Sequence, residues 1–125
     1  MTKRYWGAVI IAADRTLDAV AEELNIFLAP LTLVETDRFD EVPGFIASAE
    51  GLEFALQGPP ADAEDDGYYS FDFLCEMVGL SSLPSSLGNL AAEVEPEADS
   101  QPRRRASAFL CARLCANTAL VCTAE

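Results

Sequence analysis

The sequence has no histidine and a single lysine, Lys3. Histidine is the commonest general base, the usual activator of nucleophiles and the commonest metal ligand, so its absence removes most routes of catalysis at neutral pH. The chain also lacks a Gly-x-Gly-x-x-Gly or Walker phosphate loop and a Ser-x-x-Lys motif. We therefore predict a protein that is not an enzyme. Chemistry by a pair of carboxylates is the one catalytic alternative that the sequence leaves open.

Basic residues are scarce along the whole chain. The sequence has 8 Lys and Arg against 21 Asp and Glu, which gives a formal net charge of -13 and a sequence pI of about 4.1. Binding to nucleic acid depends on clustered basic residues, and the one such run is at 103–105. A negative field instead attracts cationic proteins and accelerates their association. We predict a basic protein partner and no binding to nucleic acid.

Long hydrophobic runs are also missing. No stretch reaches the roughly 18 consecutive apolar residues that span a bilayer. Lys3 and Arg4 precede the apolar run 5–13, but Asp14 and Arg15 end that run without the small-residue cleavage site of a signal peptide. We therefore interpret the run as a strand, and we predict no membrane association and a cytoplasmic location.

The apolar pattern predicts a single small α+β domain over residues 1–125. The run 5–13, YWGAVIIAA, is typical of a central strand that is covered on both faces. A helix capped by Asp14 should follow it and extend to Pro30. We expect a mixed sheet of about five strands packed against two or three helices. The remaining predicted elements are strands at 31–35, 52–57, 68–76 and 119–123 and a helix at 103–117.

Two segments are harder to interpret from their pattern. In 39–58, either Pro43 opens a short helix that Gly51 closes, or the residues on each side of Glu50 and Gly51 form the arms of a hairpin. We favour the helix over 43–50. The segment 81–102 is rich in Ser, Pro, Glu and Ala, and it predicts a long irregular loop with one helical turn near 87–92.

The four cysteines stand in apolar surroundings, which is the usual setting of reduced, buried thiols. Cys111 and Cys115 are four residues apart on a predicted helix and could jointly face Cys75 or Cys122, which raises a zinc or redox hypothesis. Structural zinc sites favour Cys-x-x-Cys spacing, which these residues lack. We predict thiols that fill the core, and neither a metal nor a cofactor.

Two acidic clusters, at 62–66 and 93–99, fall on predicted loops, where carboxylates are free to contact the Lys and Arg of a partner. The first cluster repeats half of a calcium-binding loop, but Phe73 stands where that loop requires a bidentate glutamate, so we predict no calcium site. The run 103–105 follows the second cluster closely and is expected to pair with it. The predicted partner-binding residues are Asp62, Glu64, Asp65, Asp66, Glu93, Glu95, Glu97 and Asp99.

The chain resembles the immunity proteins of bacterial contact-dependent growth inhibition systems. The resemblance lies in its layout, above all in FDEVPGFIASAEGLEFALQGPP at 39–60 and in the ending SAFLCARLCANTALVCTAE at 107–125. It implies a small acidic cytoplasmic protein that binds the C-terminal toxin domain of a cognate exported effector, commonly a nuclease. The toxin contacts differ among members of the family, so the resemblance implies no particular binding residue.

Two functional hypotheses share the acidic surface. In the first, the protein binds and neutralises a cognate basic toxin domain, as the resemblance implies. In the second, it is a nucleic-acid mimic or regulatory adaptor that occupies the basic groove of a host protein. The identity of the captured partner separates the two.

Overall fold

The computed structural model describes residues 3–12, 16–36, 44–58, 68–98 and 105–124. They form a single small α+β domain, as predicted, and none of their helices is long and apolar enough to cross a membrane. The elements in chain order are β1 (Lys3–Ala12), α1 (Leu17–Leu28), β2 (Val34–Thr36), β3 (Gly44–Ala49), β4 (Leu52–Gln57), β5 (Tyr68–Glu76), two 3₁₀ helices (Met77–Ser82 and Ser85–Leu87), α2 (Leu90–Glu93), β6 (Glu97–Ala98), α3 (Ser107–Asn117) and β7 (Cys122–Ala124).

The sheet has seven strands, and β1 lies near its middle as predicted. Strands β2, β3, β4, β5 and β1 follow one another across the sheet, and β6 and β7 share the remaining edge of β1. Every pairing among the described strands is antiparallel, where a mixed sheet of about five strands was expected. The extra strands are β3, which is the first arm of a hairpin, and β6.

That hairpin corrects our preferred interpretation of 43–50, which was a helix. Strands β3 and β4 pair from Ala49 and Leu52 outward, with Glu50 and Gly51 as a two-residue turn. Gly51 has a φ of 72°, a left-handed conformation that glycine adopts without steric cost and that tight hairpin turns require. A Cβ on Gly51 would also lie 2.8 Å from the backbone nitrogen of Gly79. Gly51 therefore forms part of the hairpin turn and does not mark the end of a helix.

The hydrophobic core lies between one face of the sheet and the helices. The Phe54 ring stacks on the rings of Phe71 and Phe73, with centroids 5.9 and 5.7 Å away. All buried apolar residues of α1, α2 and α3 belong to the same cluster as these rings, so the described helices cover one face only. The sheet residues of this core face are Tyr5, Val9, Ile11, Ala47, Leu52, Phe54, Leu56, Phe71, Phe73 and Cys75.

Helix and strand ends differ in detail from their predicted positions. Thr16 caps α1, since its side-chain oxygen accepts a hydrogen bond from the Ala19 amide at 3.2 Å, and Asp14 lies outside the described residues. Helix α3 begins at Ser107 and not at 103, which leaves Arg105 in the preceding turn. Strands β2 and β7 also begin later than predicted.

Much of the segment 81–102, which was predicted as an irregular loop, forms short helical turns that pack against the core in the part that the structure describes. The helical turn expected near 87–92 is present as α2, and the two 3₁₀ helices precede it. Leu87 and Leu90 are fully buried in the core cluster. Residues 99–102 lie outside the described part. The buried residues Leu87 and Leu90 come shortly before β6, which lies beside β1.

The start of α3 fills the gap between β6 and β7 along the edge of β1. The Ala106 amide donates to the Trp6 carbonyl at 3.1 Å, and the Ala8 amide donates to the side-chain oxygen of Ser107 at 2.9 Å. Gly7 lies between these two bonds, and a Cβ on it would be 2.7 Å from the carbonyl carbon of Ala106. The helix can contact the strand this closely because residue 7 has no side chain.

We predict that Gly7→Ala destabilises the protein by about 1–3 kcal/mol, because the added methyl group forces α3 away from β1. The matched control is Gly88→Ala. Gly88 is exposed, has a φ of -61°, and would place its Cβ no closer than 3.4 Å to the Ser85 carbonyl oxygen, so the free energy of unfolding should change by less than about 0.5 kcal/mol. Urea denaturation followed by circular dichroism measures both. Equal stabilities of the two variants would contradict the close contact.

Candidate partner-binding surface

The predicted acidic residues are in three different situations in the structure. Glu93 and Glu95 are exposed, as predicted for residues that meet a partner. Glu97 is buried. The other predicted residues lie outside the described part of the chain, and these are Asp62, Glu64, Asp65, Asp66 and Asp99.

The prediction that Glu97 displays its carboxylate to solvent is wrong. Its side chain is 3% exposed, and Oε1 accepts a hydrogen bond from the Arg105 amide at 2.9 Å. The pairing of β6 with β1 sets Glu97 opposite Arg4, and the turn before α3 lies over it. A run of acidic residues in the sequence gives no sign that one member belongs to a strand. Glu97 therefore organises the turn into α3 instead of displaying charge.

Arg105 also forms an ion pair with Glu95, at 3.3 Å between Nη1 and Oε2. This confirms, for Arg105, the expected pairing of the basic run with the second acidic cluster. The two side chains are 43% and 86% exposed, and such pairs contribute about 1 kcal/mol or less. Glu95 thus remains accessible to a partner at little cost.

The face of the sheet opposite the core, here called the outer face, carries a second set of apolar side chains. Ala8 and Ala55 are buried on it but lie outside the core cluster. Trp6 and Leu74, which are directly opposite each other on β1 and β5, are half-buried, and Tyr68 is 56% exposed. The prediction that β1 is covered on both faces is therefore not met by the residues that the structure describes. A partly apolar, accessible face of this kind is typical of a protein-binding surface.

Carboxylates outnumber basic groups on the outer face. Glu53 on β4 and Asp72 and Glu76 on β5 belong to it by register. Arg4, opposite Glu76, is the one basic residue that the described strands place there. The outer face thus combines apolar contact area with a net negative charge.

A shallow cavity of about 270 Å³ lies at one end of the outer face, next to the turn of the hairpin β3–β4. Leu74 lines it between the carboxylate-bearing residues Glu53 and Glu76. Glu53 is directly opposite Leu74 in the β4–β5 pairing, and the Glu76 amide donates to the Gly51 carbonyl at 2.7 Å. An apolar surface flanked by two carboxylates suits a Lys or Arg side chain, whose methylene groups pack on Leu74 while its charge meets the acids.

A larger cavity of about 360 Å³ lies between α1, the second 3₁₀ helix and α3. Its one charged lining residue is Arg113, whose Nε donates to the Ser86 carbonyl at 2.9 Å. A cavity lined by a cation does not complement a basic partner. For the basic partner that the sequence predicts, charge therefore favours the smaller cavity on the outer face as the candidate site.

Negative charge is widespread on the surface. Among the described residues the exposed basic side chains are those of Lys3 and Arg105. The exposed acidic ones are Asp18, Glu22, Glu35, Glu50, Glu76, Glu93 and Glu95. The described surface thus keeps the sign of the net charge.

Of the four cysteines, the expected buried thiol is found at Cys75 alone. Burial raises the pKa of Cys75 to about 11, and the nearby Glu76 carboxylate adds to this. Cys111 and Cys122 are half-buried and Cys115 is exposed. Burial also raises the pKa of Cys111 and of Cys122, so these thiols are protonated at neutral pH and are weak nucleophiles.

Sequence reasoning missed Glu53, Asp72 and Glu76, because it sought acidic residues in loops. The alternation within β4 and β5 was the available signal, since residues next to the core-facing Phe54, Phe71 and Phe73 must point to the outer face.

Comparison with protein-family models, curated proteins and solved structures finds no match for the chain. The outer face is therefore interpreted from its own residues.

We predict that Glu97→Ala costs about 1–3 kcal/mol of stability, because the part-buried Arg105 amide loses its acceptor and the buried Glu97 side chain leaves a gap. Glu95→Ala removes the same charge two residues away and should change stability by less than about 0.5 kcal/mol. Thermal and urea unfolding of the two variants test this. If Glu95→Ala were the more destabilising, the structural role assigned to Glu97 would be wrong.

Proposed function

We propose that this protein binds a basic toxin domain of an exported bacterial effector through its outer face and thereby neutralises it, without catalysing a reaction. The observation that carries the proposal is the cavity in which Glu53 and Glu76 flank Leu74 on an accessible, partly apolar face of the sheet. Charge, surface composition and chain layout each support one part of it.

Charge supports a basic partner. With a net charge of -13, the protein attracts cationic surfaces over several ångströms and repels nucleic acid and anionic lipid. Such steering raises association rates and weakens as salt is added. It does not by itself select one partner, so the specificity has to come from local contacts.

The outer face supplies those contacts. Trp6 and Tyr68 offer aromatic area of the kind that dominates binding energy in protein interfaces. Between them along β1, Ala8 is buried and Ile10, opposite Ser70, is half-buried and adds apolar area to the face. The carboxylates of Glu53 and Glu76 would then receive a Lys or Arg side chain, which is desolvated as the interface closes.

The toxin domain as the partner comes from the resemblance to immunity proteins, and the size and acidity of the chain agree with it. Exported nucleases carry basic surfaces because their substrate is an anion. Covering such a surface with the acidic outer face would exclude that substrate. Inhibition would then follow from binding alone.

The proposal predicts that Glu53→Gln with Glu76→Gln weakens binding of the toxin domain by at least about 30-fold, chiefly through faster dissociation. The matched control, Glu22→Gln with Glu35→Gln, removes the same charge from exposed positions off the outer face. It should lower the association rate slightly and leave dissociation unchanged. Surface plasmon resonance at two salt concentrations separates the two effects. Equal weakening by both pairs would show that only net charge matters.

A third variant, Glu93→Gln with Glu95→Gln, tests the acidic cluster predicted from the sequence. We expect it to behave like the control pair. A selective loss of affinity in this variant alone would place the interface at that cluster and not on the outer face.

The partner's identity is tested by the neighbouring gene, which should encode an effector with a basic toxin domain, and by co-expression with that domain. The intact protein should restore growth, and the variant at Glu53 and Glu76 should not. Failure of the intact protein to protect, or capture of a host nucleic-acid-binding protein in its place, would overturn the toxin hypothesis.

A further inference from the structure

Three of the four cysteines come together at the C-terminal end of the domain. The Sγ atoms of Cys111 and Cys122 lie 3.5 Å apart, and those of Cys115 and Cys122 lie 3.2 Å apart. All three Sγ atoms lie within 4.8 Å of one another. Cys75, the fourth cysteine, is buried in the core face of the sheet and takes no part in the cluster.

The fold brings these residues together through two independent elements. Cys111 and Cys115 are four residues apart on α3, a spacing that places both side chains on one side of a helix. Cys122 begins β7, and its pairing with Ile11 of β1 holds it beside that helix. The cysteine that joins this helical pair is therefore Cys122 and not Cys75.

We propose that Cys111, Cys115 and Cys122 form a three-thiolate site for a thiophilic closed-shell cation, Zn²⁺ or Cu⁺. Sulfur ligands select these ions over Mg²⁺ and Ca²⁺. The inference stands on the geometry of the cluster and is independent of the proposed toxin-binding function. It replaces the expectation of thiols that merely fill the core.

The spacing of the sulfur atoms agrees with such a site. Zinc–sulfur bonds are about 2.3 Å long, so two thiolates on one tetrahedral zinc ion lie about 3.8 Å apart. The observed separations of 3.5 and 3.2 Å need to open by only a few tenths of an ångström. The third pair, Cys111 and Cys115, lies within 4.8 Å, so the three sulfur atoms are already close to the spacing that one ion requires.

The surroundings also favour a cation. Cys115 lies in the last turn of α3, where the helix dipole presents partial negative charge. The Cys122 carbonyl oxygen is 3.4 Å from the sulfur of Cys111, and the Cys111 carbonyl oxygen is 3.6 Å from the sulfur of Cys122. A bound cation would meet three sulfur atoms near the negative end of the helix, and it would replace the two thiol protons that these carbonyls accept.

Binding involves proton loss and no transfer of electrons. Each thiol releases its proton to solvent as its sulfur bonds the ion, and the oxidation states of the metal and of sulfur are unchanged. Cys115 is exposed, which gives the ion a route from solvent and leaves room for a water molecule as the fourth ligand of zinc. Copper(I) would need no fourth ligand.

A bound ion would join α3 to β7. Strand β7 is three residues long and pairs with β1 through Val9, Ile10 and Ile11. The metal would add a cross-link between this short strand and the helix. Because the ion binds the folded chain, it should raise the melting temperature of the protein.

The test uses the full-length protein, reduced and handled without oxygen. Titration with Co²⁺ should give one equivalent of a tetrahedral thiolate spectrum, with sulfur-to-cobalt charge-transfer absorption. Zn²⁺ should then displace the cobalt, and a parallel titration with Cu⁺ in competition with a chromogenic chelator shows which ion binds more tightly. Preference for either ion supports the site and identifies its occupant.

Cys115→Ser is the decisive variant, because the side chain is exposed and its loss should leave the fold intact. It should weaken metal binding by more than about 100-fold and abolish the rise in melting temperature. The matched control is Cys75→Ala, which also leaves three cysteines and should bind as the intact protein does. Circular dichroism checks that both variants fold.

Three results would overturn the proposal. The first is the absence of both a cobalt–thiolate spectrum and Cu⁺ binding in the reduced protein. The second is an equal loss of binding in Cys115→Ser and Cys75→Ala. The third is a protein that binds neither Zn²⁺ nor Cu⁺ but forms a Cys115–Cys122 disulfide when an oxidant is supplied, seen as the loss of two hydrogen masses. That last result would make the cluster a redox pair.

Discussion

The contact between β1 and the start of α3 is the constraint on which the rest of this structure depends. Gly7 lets the helix begin against the strand, and the bonds of Trp6 and Ala8 to Ala106 and Ser107 fix its position. From that point α3 carries Leu110 and Leu114 into the core and its cysteines towards β7. The same turn satisfies one carboxylate oxygen of Glu97. One strand edge thereby organises β6 and the described residues 105–124.

How much of this the sequence predicts depends on the range of the interactions involved. Strands β1, β4 and β5 and helix α1 were predictable, because continuous or periodic apolar residues mark them locally. The local pattern does not identify the hairpin at Gly51, since a glycine that ends a helix and one that turns a hairpin give the same signal, and only the pairing of β3 with β4 and β2 decides between them. The burial of Glu97 depends on β6, which is too short to leave a pattern. A strand near β7 was predictable, but its pairing with β1 beside α3, which brings Cys122 to the helix, is not a local property.

The candidate interface was accessible to sequence reasoning only in part. Net charge correctly indicated an acidic surface, and Glu93 and Glu95 are exposed as expected. The carboxylates beside Leu74 were not found, because they alternate with core residues along β4 and β5 and do not form a run. Their proximity is created by strand pairing across the sheet. Strand pairing can therefore bring carboxylates together where no acidic run in the sequence marks them.

The two outer margins of the sheet also have a consequence for behaviour in concentrated solution. On one side the last described strand is β2, three residues long, and on the other β1 is covered in turn by β6, the first residues of α3 and β7. An unpaired edge strand can pair with a strand of another molecule and so extend the sheet, and a short or covered edge resists this. With mutual repulsion between copies of net charge -13, this arrangement should oppose fibre formation even at high expression levels.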